Sequence, residues 1–250
     1  MKMTGNTVLI TGGGTGIGRA LAEAFHAAGN RVIIAGRRAA PLADVAGANP
    51  GMEYRTLDIA SADAVAEFAS EIVTAFPDLN VVIHNAGIMK AESLVDAPDY
   101  LSIAEETVAI NLLGPIRLTA ALLPHLKARQ DAAILTVSSG LAFVPLVLTP
   151  TYSATKAAIH SYSQTLRQQL KGAGIDVIEI APPYVQTELM GPGQAVDPRA
   201  MPLADFIEEV MTILKSGPVE EVVVERCRFL RNAEAEGRYA NAFETVNSLH

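Results

Sequence analysis

Short apolar runs alternate with longer amphipathic stretches along this chain. The short runs are rich in β-branched residues, and the longer ones place apolar residues on one face of a helix. The short runs predict strands at residues 7–11, 31–35, 53–57, 80–84, 132–137, 175–181 and 221–224. The longer stretches predict helices at residues 16–28, 61–76, 101–128 and 152–171, and a charged helix from residue 226 on. Ser61 is a good N-cap for the second of these helices.

This order of elements predicts an α/β fold. Strands that alternate with helices form right-handed crossovers, which build a doubly wound parallel sheet with helices on both faces. We expect about seven strands in that sheet. The chain has 250 residues, half of them hydrophobic, and it contains no internal repeat or linker-like shift in composition. We therefore expect a single domain over residues 1–250 with a large core.

Composition narrows the classes of partner. The formal net charge is -8, and the Lys and Arg residues are scattered, whereas a nucleic-acid site needs clustered cations. We expect no membrane partner, because no apolar run reaches the roughly 20 residues of a span and the start of the chain lacks the layout of a signal peptide. Cys227 is the one cysteine and the histidines are dispersed, so we expect neither a disulfide nor a metal site. The expectation is a cytoplasmic protein with a small-molecule substrate.

The first predicted strand runs into a glycine-rich loop and then a helix. Residues 11–18 are Thr-Gly-Gly-Gly-Thr-Gly-Ile-Gly, a T-G-x-x-x-G-x-G pattern in place of the G-x-G-x-x-G of many dinucleotide-binding folds. Glycines let the backbone approach a pyrophosphate closely, and a helix N-terminus offers unpaired N–H groups. The loop therefore predicts a dinucleotide site, with a plain strand-to-helix turn as the alternative. The candidate residues are Thr11, Gly12, Thr15, Gly16, Ile17 and Gly18.

Two arginines, Arg37 and Arg38, follow the second predicted strand. At this point of a dinucleotide-binding fold an acidic residue binds the ribose 2′-hydroxyl of NAD, whereas an arginine accommodates the 2′-phosphate of NADP. No Asp or Glu occurs between Glu23 and Asp44. The sequence therefore predicts NADP(H), with Arg37 as the main phosphate contact and Arg38 as the second. The alternative is a solvated pair at a strand end.

Tyr152 and Lys156 lie four residues apart in a predicted helix. That spacing places the phenol and the ammonium on one helix face. A phenol with a pKa of about 10 needs roughly 4 kcal/mol to ionise readily near pH 7, and a cation about 4 Å away supplies an interaction of that order. We therefore expect Lys156 to lower the pKa of Tyr152 and make it a general acid/base. The alternative is two ordinary helix residues.

From about residue 7 to residue 187 the chain resembles the short-chain dehydrogenase/reductase family, whose members have a Rossmann fold. The resemblance rests on several motifs in the family's order: the glycine loop, the run Leu-Asp-Ile at 57–59, the run His-Asn-Ala-Gly at 84–87 and the Tyr-x-x-x-Lys pair. The family has Asn-Asn-Ala-Gly in place of the third. The further cofactor contacts that the resemblance implies are Asp58, Ile59, Asn85, Ala86, Gly87, Val185 and Thr187.

The resemblance also implies a mechanism. Hydride passes between the nicotinamide and a carbonyl carbon, Tyr152 exchanges the proton, and Ser139 hydrogen-bonds the carbonyl oxygen. Ser139 precedes Tyr152 by thirteen residues, which is the family's spacing and selects it over Ser138. Lys156 binds the nicotinamide ribose. Asn111 holds a water that connects Lys156 to solvent, with a kink residue inside a helix as the alternative.

The predicted substrate pocket departs from the family's pattern at one position. Pro183 replaces the glycine of the family's Pro-Gly-x-Val-x-Thr motif, which removes an N–H and fixes φ in that turn. We expect apolar residues 141–148 to form one pocket wall, unless they belong to the core or to a subunit contact. A Gly-, Pro- and Met-rich segment around 188–204 is expected to form a mobile lid, and Met89 and Leu94 also face the pocket in this interpretation. Such apolar walls favour a hydrophobic or aromatic ketone or its alcohol.

A C-terminal extension around residues 225–250 exceeds what the family's core needs. We expect it to cover a pocket or a neighbouring subunit. The family is usually dimeric or tetrameric through two long central helices. We therefore expect a homodimer or homotetramer that uses the apolar residues Leu112, Ile116, Leu122 and Leu123.

Functions of different classes fit these patterns. The first is an NADPH-dependent carbonyl reductase that works reversibly as an alcohol dehydrogenase, and the second is a noncatalytic NADP(H)-binding sensor or scaffold. A different reaction of the same family, such as epimerisation or dehydration, is the third. The presence of Asn111, Ser139, Tyr152 and Lys156 together favours an enzyme.

Overall fold

Seven parallel strands form one sheet at the centre of the molecule. The computed structural model describes residues 1–97 and 100–248. The strand order is β3-β2-β1-β4-β5-β6-β7, which confirms the predicted α/β Rossmann fold. The strands are β1 (Thr7–Thr11), β2 (Arg31–Gly36), β3 (Glu53–Thr56), β4 (Leu79–His84), β5 (Ala133–Val137), β6 (Asp176–Ala181) and β7 (Glu221–Val223).

Ten α-helices of the described residues surround the sheet, together with a π-helical turn and two 3₁₀ turns. The α-helices are α1 (Gly16–Ala27), α2 (Ala39–Ala48), α3 (Ala62–Ala75), α4 (Tyr100–Val108), α5 (Gly114–Leu126), α6 (Pro150–Leu170), α7 (Pro192–Ala195), α8 (Leu203–Lys215), α9 (Glu225–Arg231) and α10 (Tyr239–Asn247). The π turn is Ala109–Leu113, and the 3₁₀ turns are Gly140–Ala142 and Lys171–Ala173.

Both faces of the sheet are buried. Neighbouring residues of a strand point to opposite faces, so Ile10 packs with α1, α2 and α8, whereas Leu9 packs with α3, α5 and α6. Each face thus has its own helix layer. The strand order reverses between β1 and β4, and in open α/β sheets ligands bind outside the carboxyl ends of the strands at such a point. The Thr11 and His84 ends of these strands therefore mark the expected site.

The predicted strands agree with the observed ones to within two residues, and Ser61 caps α3 by accepting a hydrogen bond from the Ala64 N–H. The predicted helix 101–128 is instead α4, a π turn around Asn111 and α5. Helices α2 and α8 were not predicted. The predicted C-terminal helix is two helices, α9 and α10, and the last two residues of the predicted extension lie outside the described residues.

One helical run corrects the expectation that no apolar stretch approaches the length of a membrane span. Tyr100–Leu126 has 27 residues and a mean hydropathy of 1.4, and 44% of its apolar window is buried inside the protein. Leu118, Leu122 and Leu126 of this run lie in the core. Core helices of soluble proteins pass the same test of length and composition, so the run is weak evidence for a membrane partner.

The helix faces expected to join subunits differ in exposure. Leu122 is fully buried within its own chain, because it packs in the core against the sheet. It therefore belongs to the core of this chain. Leu112, Ile116 and Leu123 are partly exposed and Leu113 is exposed, which leaves an apolar face on this run. A homo-oligomer remains a proposal.

Candidate active site

The glycine loop after β1 packs closely against its surroundings. A Cβ atom on Gly18 would lie 2.2 Å from the carbonyl oxygen of Gly12, and one on Gly12 would lie 2.8 Å from the Cα of Ala86. Gly12 and Gly16 have φ values of +69° and +53°, which side chains other than glycine rarely adopt. The loop reaches α1 with Thr15 at the N-cap and no side-chain cap. These features fit a backbone cradle for a phosphate at a helix N-terminus.

Thr11 and Asn85 join the ends of β1 and β4. The hydroxyl of Thr11 accepts hydrogen bonds from the N–H groups of Asn85 and Ala86, both at 3.1 Å. The Asn85 side chain donates to the carbonyl oxygen of Thr11 at 3.0 Å and to that of Gly12 at 3.3 Å. The predicted residues of the glycine loop and of the run 85–87 therefore lie side by side along one cleft. The cleft lies at the point where the strand order reverses.

Arg37 and Arg38 lie at the far end of this cleft, and both are exposed. Arg37 is 3.7 Å from the carboxylate of Glu106 on α4, and Lys90 lies 2.5 Å from the other oxygen of the same carboxylate. The two cations and the hydrogen bond from Lys90 lower the pKa of Glu106. The Glu106 side chain thus bridges Arg37 and Lys90 beside the predicted phosphate site. Residue spacing in the sequence did not indicate this contact.

Asp58 does not line the cleft. Its carboxylate accepts a hydrogen bond from the N–H of Ala60 at 3.1 Å, and the residue is exposed. Leu57 and Ile59 on either side are buried and face the cleft. An adenine ring in this position would therefore be held by apolar contacts with Leu57, Ile59 and Ile110.

Tyr152 and Ser139 meet at the other end of the cleft. Tyr152 lies in the first turn of α6, and Ser139 caps the 3₁₀ turn after β5 by accepting a hydrogen bond from the Leu141 N–H at 3.1 Å. Burial raises the pKa of Tyr152 to about 12, and a hydrogen bond with Ser139 partly opposes that rise. The expectation of a lowered pKa for Tyr152 is therefore wrong for this structure, because burial of the phenol outweighs the other influences on it. Tyr152 is a protonated phenol at neutral pH.

Lys156 lies one helical turn after Tyr152. Its ammonium donates a hydrogen bond to the carbonyl oxygen of Val137 at 2.7 Å, and it lies 5.5 Å from the centre of the Tyr152 ring. Burial lowers the pKa of Lys156 to about 8, and the charge of Glu179 opposes that fall. The Lys156 side chain is thus in the expected place beside Tyr152, and its pKa lies about one unit above neutral pH.

Asn111 is the centre of the π turn between α4 and α5. Its side-chain oxygen accepts from the Ile88 N–H at 2.9 Å, and its amide donates to the Ile88 carbonyl at 2.9 Å and to the Thr155 hydroxyl at 3.3 Å. The residue is 1% exposed. It therefore connects the loop after β4 with α6, and π turns of this kind occur frequently at functional sites.

Ser138 points away from this group. It donates a hydrogen bond of 3.4 Å to the carbonyl oxygen of Ile180 on β6 and is buried. Ser139, in contrast, lies near Tyr152 in the cleft, and its side chain opposes the rise in the pKa of that phenol. The geometry therefore favours Ser139, which agrees with the choice made from spacing.

Comparison with known proteins agrees with this arrangement. Residues 6–195 match the family model described as short chain dehydrogenase. The chain belongs to the short-chain dehydrogenase/reductase family. It is 39% identical over 251 residues to the uncharacterized oxidoreductase DltE of Bacillus subtilis, with 99% of each chain covered. It is 35% identical over 193 residues to dehydrogenase/reductase SDR family member 7B of Bos taurus, covering 73% of this chain and 58% of the relative.

Solved structures of short-chain dehydrogenases have the same fold. A short chain dehydrogenase from Burkholderia cenocepacia in complex with NADP has a TM-score of 0.81 and 27% identity, covering 97% of this chain and 98% of that one. An alcohol dehydrogenase from Thermococcus sibiricus complexed with 5-hydroxy-NADP has a TM-score of 0.77 and 26% identity, covering 86% and 94%. The protein is thus an oxidoreductase of the short-chain dehydrogenase/reductase family with an NAD(P)-binding fold.

Val185 and Thr187 follow β6 and line the cleft near Tyr152. Gln194 on α7 donates hydrogen bonds to the Val185 carbonyl at 2.8 Å and to the Thr187 hydroxyl at 3.1 Å. The side chain of Gln194 thus connects the expected lid segment with two residues predicted to contact the nicotinamide. Sequence patterns gave no signal for this residue, since a buried glutamine is recognised only from its contacts.

The cleft is one cavity of about 670 Å³ that runs from the glycine loop to an apolar chamber beside Tyr152. Leu141 and Leu146 line it, but Val147 and Leu148 are exposed and Val144 packs against α9 and α10. Residues 141–148 are therefore only partly a pocket wall. Met89 lines the chamber as expected, whereas Leu94 is outside it and exposed. The other chamber residues are Tyr184, Leu189, Met190, Leu230 and Val246.

Leu230 and Val246 bring the C-terminal extension into the chamber. They come from α9 and α10, and they pack with Val144, Ala233 and Ala242 in a small core of their own. The extension therefore covers the pocket of its own chain, which is one of the two roles expected for it. The amphipathic pattern of the extension predicted a helix. It did not predict the break between α9 and α10, and that break determines which residues face the chamber.

A further set of ionisable residues lies beside α6, and sequence reasoning missed it. This set, the His160 cluster, consists of His160, Glu179, Glu221 and Arg231. His160 is 2.8 Å from Glu179 and 3.7 Å from Glu221, and Glu179 and Glu221 are paired in register on β6 and β7. Arg231 bonds both oxygens of Glu221, at 2.9 and 3.2 Å.

One ligand atom each of His160, Glu179 and Glu221 lies within 4.8 Å of the others. A metal ion at this point would compete with Arg231 for Glu221. Arg231 pairs with Glu221, and His160 bonds Glu179, so we interpret the cluster as a network of the protein's own side chains.

Proposed function

We propose that this protein is an NADPH-dependent carbonyl reductase that reduces a hydrophobic or aromatic ketone or aldehyde to the alcohol and also works in reverse. One observation carries the proposal. Ser139, Tyr152 and Lys156 converge at the apolar end of the cavity whose other end has the glycine loop and Arg37. A carbonyl in the chamber would thus lie between a proton donor and the nicotinamide end of a dinucleotide.

The chain's own residues supply binding, orientation and the proton. NADPH, when bound, supplies the hydride. Tyr152, whose pKa of about 12 keeps it protonated, donates its proton to the oxygen that gains negative charge. Ser139 hydrogen-bonds the same oxygen and so stabilises the charge that develops there. Lys156 holds positive charge beside the phenol and favours the phenolate that the proton transfer leaves behind.

The preference for NADPH over NADH rests on charge at the adenosine end. Arg37 and Arg38 line the cleft, and Lys90 adds a third cation near them. An arginine fork binds a phosphate through charge-assisted hydrogen bonds, which are about twice as strong as neutral ones. The relatives from Burkholderia cenocepacia and Thermococcus sibiricus were solved with NADP and an NADP derivative, which supports the same choice here.

The substrate class follows from the chamber walls. Leu141, Leu146, Leu230 and Val246 surround the space beside Tyr152, and such walls favour an apolar body next to the reacting carbonyl. Glu188 is the one carboxylate that lines the cavity among the described residues. A charged acid or a sugar would lose hydration against these apolar walls.

A substrate panel tests this proposal. Purified protein is incubated with NADPH and with aryl ketones, alkyl ketones, aldose sugars and keto acids, and the alcohol and NADP⁺ are both quantified. We expect stoichiometric alcohol and NADP⁺ from the hydrophobic carbonyls, with kcat/KM at least tenfold above that for sugars and keto acids. Tight NADPH binding without turnover of any carbonyl or of the matching alcohols would contradict it and favour a noncatalytic sensor.

A further inference from the structure

Glu179 is a buried carboxylate with incomplete local compensation. The residue is 0% exposed. Its Oε2 atom bonds the Nδ1 atom of His160 at 2.8 Å, whereas Oε1 has no hydrogen-bond partner among the residues that the structure describes. A carboxylate that is poorly solvated acts on charges at longer range than a surface one, because the medium around it screens weakly.

Lys156 lies close to Glu179 in the fold. The Lys156 ammonium bonds the carbonyl oxygen of Val137 on β5, and Glu179 lies on the neighbouring strand β6, in register with the residue before Val137. His160, one helical turn after Lys156 on α6, bonds Glu179. Burial lowers the pKa of Lys156 to about 8, and the charge of Glu179 opposes that fall. At neutral pH the charge state of Lys156 is therefore sensitive to Glu179.

The other charged groups around Glu179 largely cancel. Glu221 on β7 is paired with Arg231 on α9 through two hydrogen bonds. Cys227 on α9 is buried, and its pKa is raised to about 12 by burial and then by Glu179, so the thiol is neutral. Glu179 is thus the carboxylate of this region that no arginine neutralises.

We propose that Glu179 is a positioning residue: its buried carboxylate, held by His160, is the counter-charge that keeps Lys156 cationic beside Tyr152. The catalytic consequence rests on the proposed reductase function. The electrostatic relationship between Glu179 and Lys156 does not. Glu179 contacts neither substrate nor cofactor in this account and acts through Lys156.

An NMR titration tests the proposal without turnover. The chain has six lysines, so protein labelled with ¹³C at lysine Cε gives few signals, and Lys156→Met assigns that of Lys156. We expect Glu179→Gln to lower the pKa of Lys156 by about one pH unit or more. Glu220→Gln removes the same charge at an exposed position beside β7, where the side chain is 78% exposed, and should leave the pKa of Lys156 unchanged. Equal values in Glu179→Gln and wild type would overturn the proposal.

A second measurement uses the wild type alone, in case Glu179→Gln does not fold. The ¹³C signal of the Glu179 carboxyl group reports whether it is ionised. We expect an ionised Glu179 throughout the range in which Lys156 titrates. A protonated Glu179 at pH 7 would overturn the proposal, because a neutral side chain cannot supply the counter-charge.

Kinetics then separate this proposal from the proposed function. If wild type reduces a ketone, the basic limb of its kcat/KM profile should move to lower pH in Glu179→Gln, with KM for NADPH measured alongside. A purely structural role would lower activity at all pH values alike and overturn the proposal. If wild type reduces no carbonyl, the proposed function fails, and the two titrations still decide the role of Glu179.

Discussion

The ammonium of Lys156 lies 5.5 Å from the centre of the Tyr152 ring, one helical turn further along α6. Both side chains are buried, and burial moves their pKa values apart: that of Tyr152 rises to about 12 and that of Lys156 falls to about 8. Burial thus favours the neutral form of each. A phenol that stays protonated is suited to give its proton to a carbonyl oxygen that becomes negative.

The two neighbouring serines should differ in their effect on activity. Ser139→Ala removes the hydroxyl that lies beside Tyr152, and loss of one hydrogen-bond donor to the reacting oxygen costs roughly 10²-fold in kcat. Ser138→Ala removes a buried bond to β6 and should lower stability by about 1 kcal/mol with a smaller loss of activity. Steady-state kinetics and urea melts of both variants check this. A larger kcat loss in Ser138→Ala would show that the wrong serine faces the substrate.

Two substitutions at the Arg37 end of the cleft should have opposite effects on NADPH binding. Arg37→Ala should raise KM for NADPH by about tenfold relative to NADH, because a charge-assisted phosphate contact is lost. Glu106→Gln removes the carboxylate that bridges Arg37 and Lys90, so KM for NADPH should fall by about twofold, the size typical of exposed ion pairs. If the ratio of KM for NADPH to KM for NADH were the same in Arg37→Ala as in wild type, the cofactor assignment would be contradicted. Arg38→Ala, the predicted second contact, should show a smaller rise.

His84 should make the protein sensitive to acid. Burial lowers its pKa to about 4 from an ordinary value of 6.5, and the ring bonds Thr119 at 2.9 Å. Between those values the unfolded chain binds more protons than the folded one. Stability is therefore lost as pH falls from about 6.5 toward 4, by about 3 kcal/mol at most.

His84→Asn tests that account, since asparagine is also what the family has at this position. We expect the free energy of unfolding of the variant to fall less than that of wild type between pH 7 and pH 4.5. Urea denaturation at the two values measures it. Parallel losses in both proteins would mean that His84 does not cause the acid sensitivity.

The chamber wall from the C-terminal extension should set substrate size. Leu230→Ala removes apolar volume beside Tyr152, so kcat/KM should rise for bulkier aryl ketones and fall for small ones, by about tenfold in either direction. Val196→Ala is a matched control, since Val196 is 77% exposed and outside the cavity. A uniform loss for all substrates in Leu230→Ala would indicate damage to the fold instead of a specificity role.

Much of this architecture could be predicted because it depends on local patterns. Strand periodicity gave the sheet, and the glycine loop and the Tyr152–Lys156 spacing pointed to residues that the fold brings to one cavity. A kink at Asn111 was expected only as the alternative role of that residue, because hydrogen bonds to Ile88 and Thr155 stabilise the π turn and both partners are distant in sequence. The lowered pKa expected for Tyr152 was wrong for a similar reason: spacing gives the neighbouring cation but says nothing about burial.

Contacts over long sequence distances also explain what the sequence did not indicate. In the sequence, Glu179 is simply one residue of a predicted strand. Its bond to His160 forms only because β6 packs against α6. Leu230 and Val246 reach the chamber only because α9 and α10 fold back over Val144. Asp58 was placed by motif position, but its side chain bonds the Ala60 N–H outside the cleft.

The measurement that tests the central claim most directly is NADPH oxidation with the best ketone of the panel, in wild type and in Tyr152→Phe. The substitution removes one hydroxyl and keeps the ring. We predict that Tyr152→Phe lowers kcat by at least about 10²-fold and leaves the dissociation constant for NADPH, measured by fluorescence titration, within about threefold of wild type. Tyr152→Phe that retains wild-type turnover would contradict the assignment of Tyr152 as the proton donor.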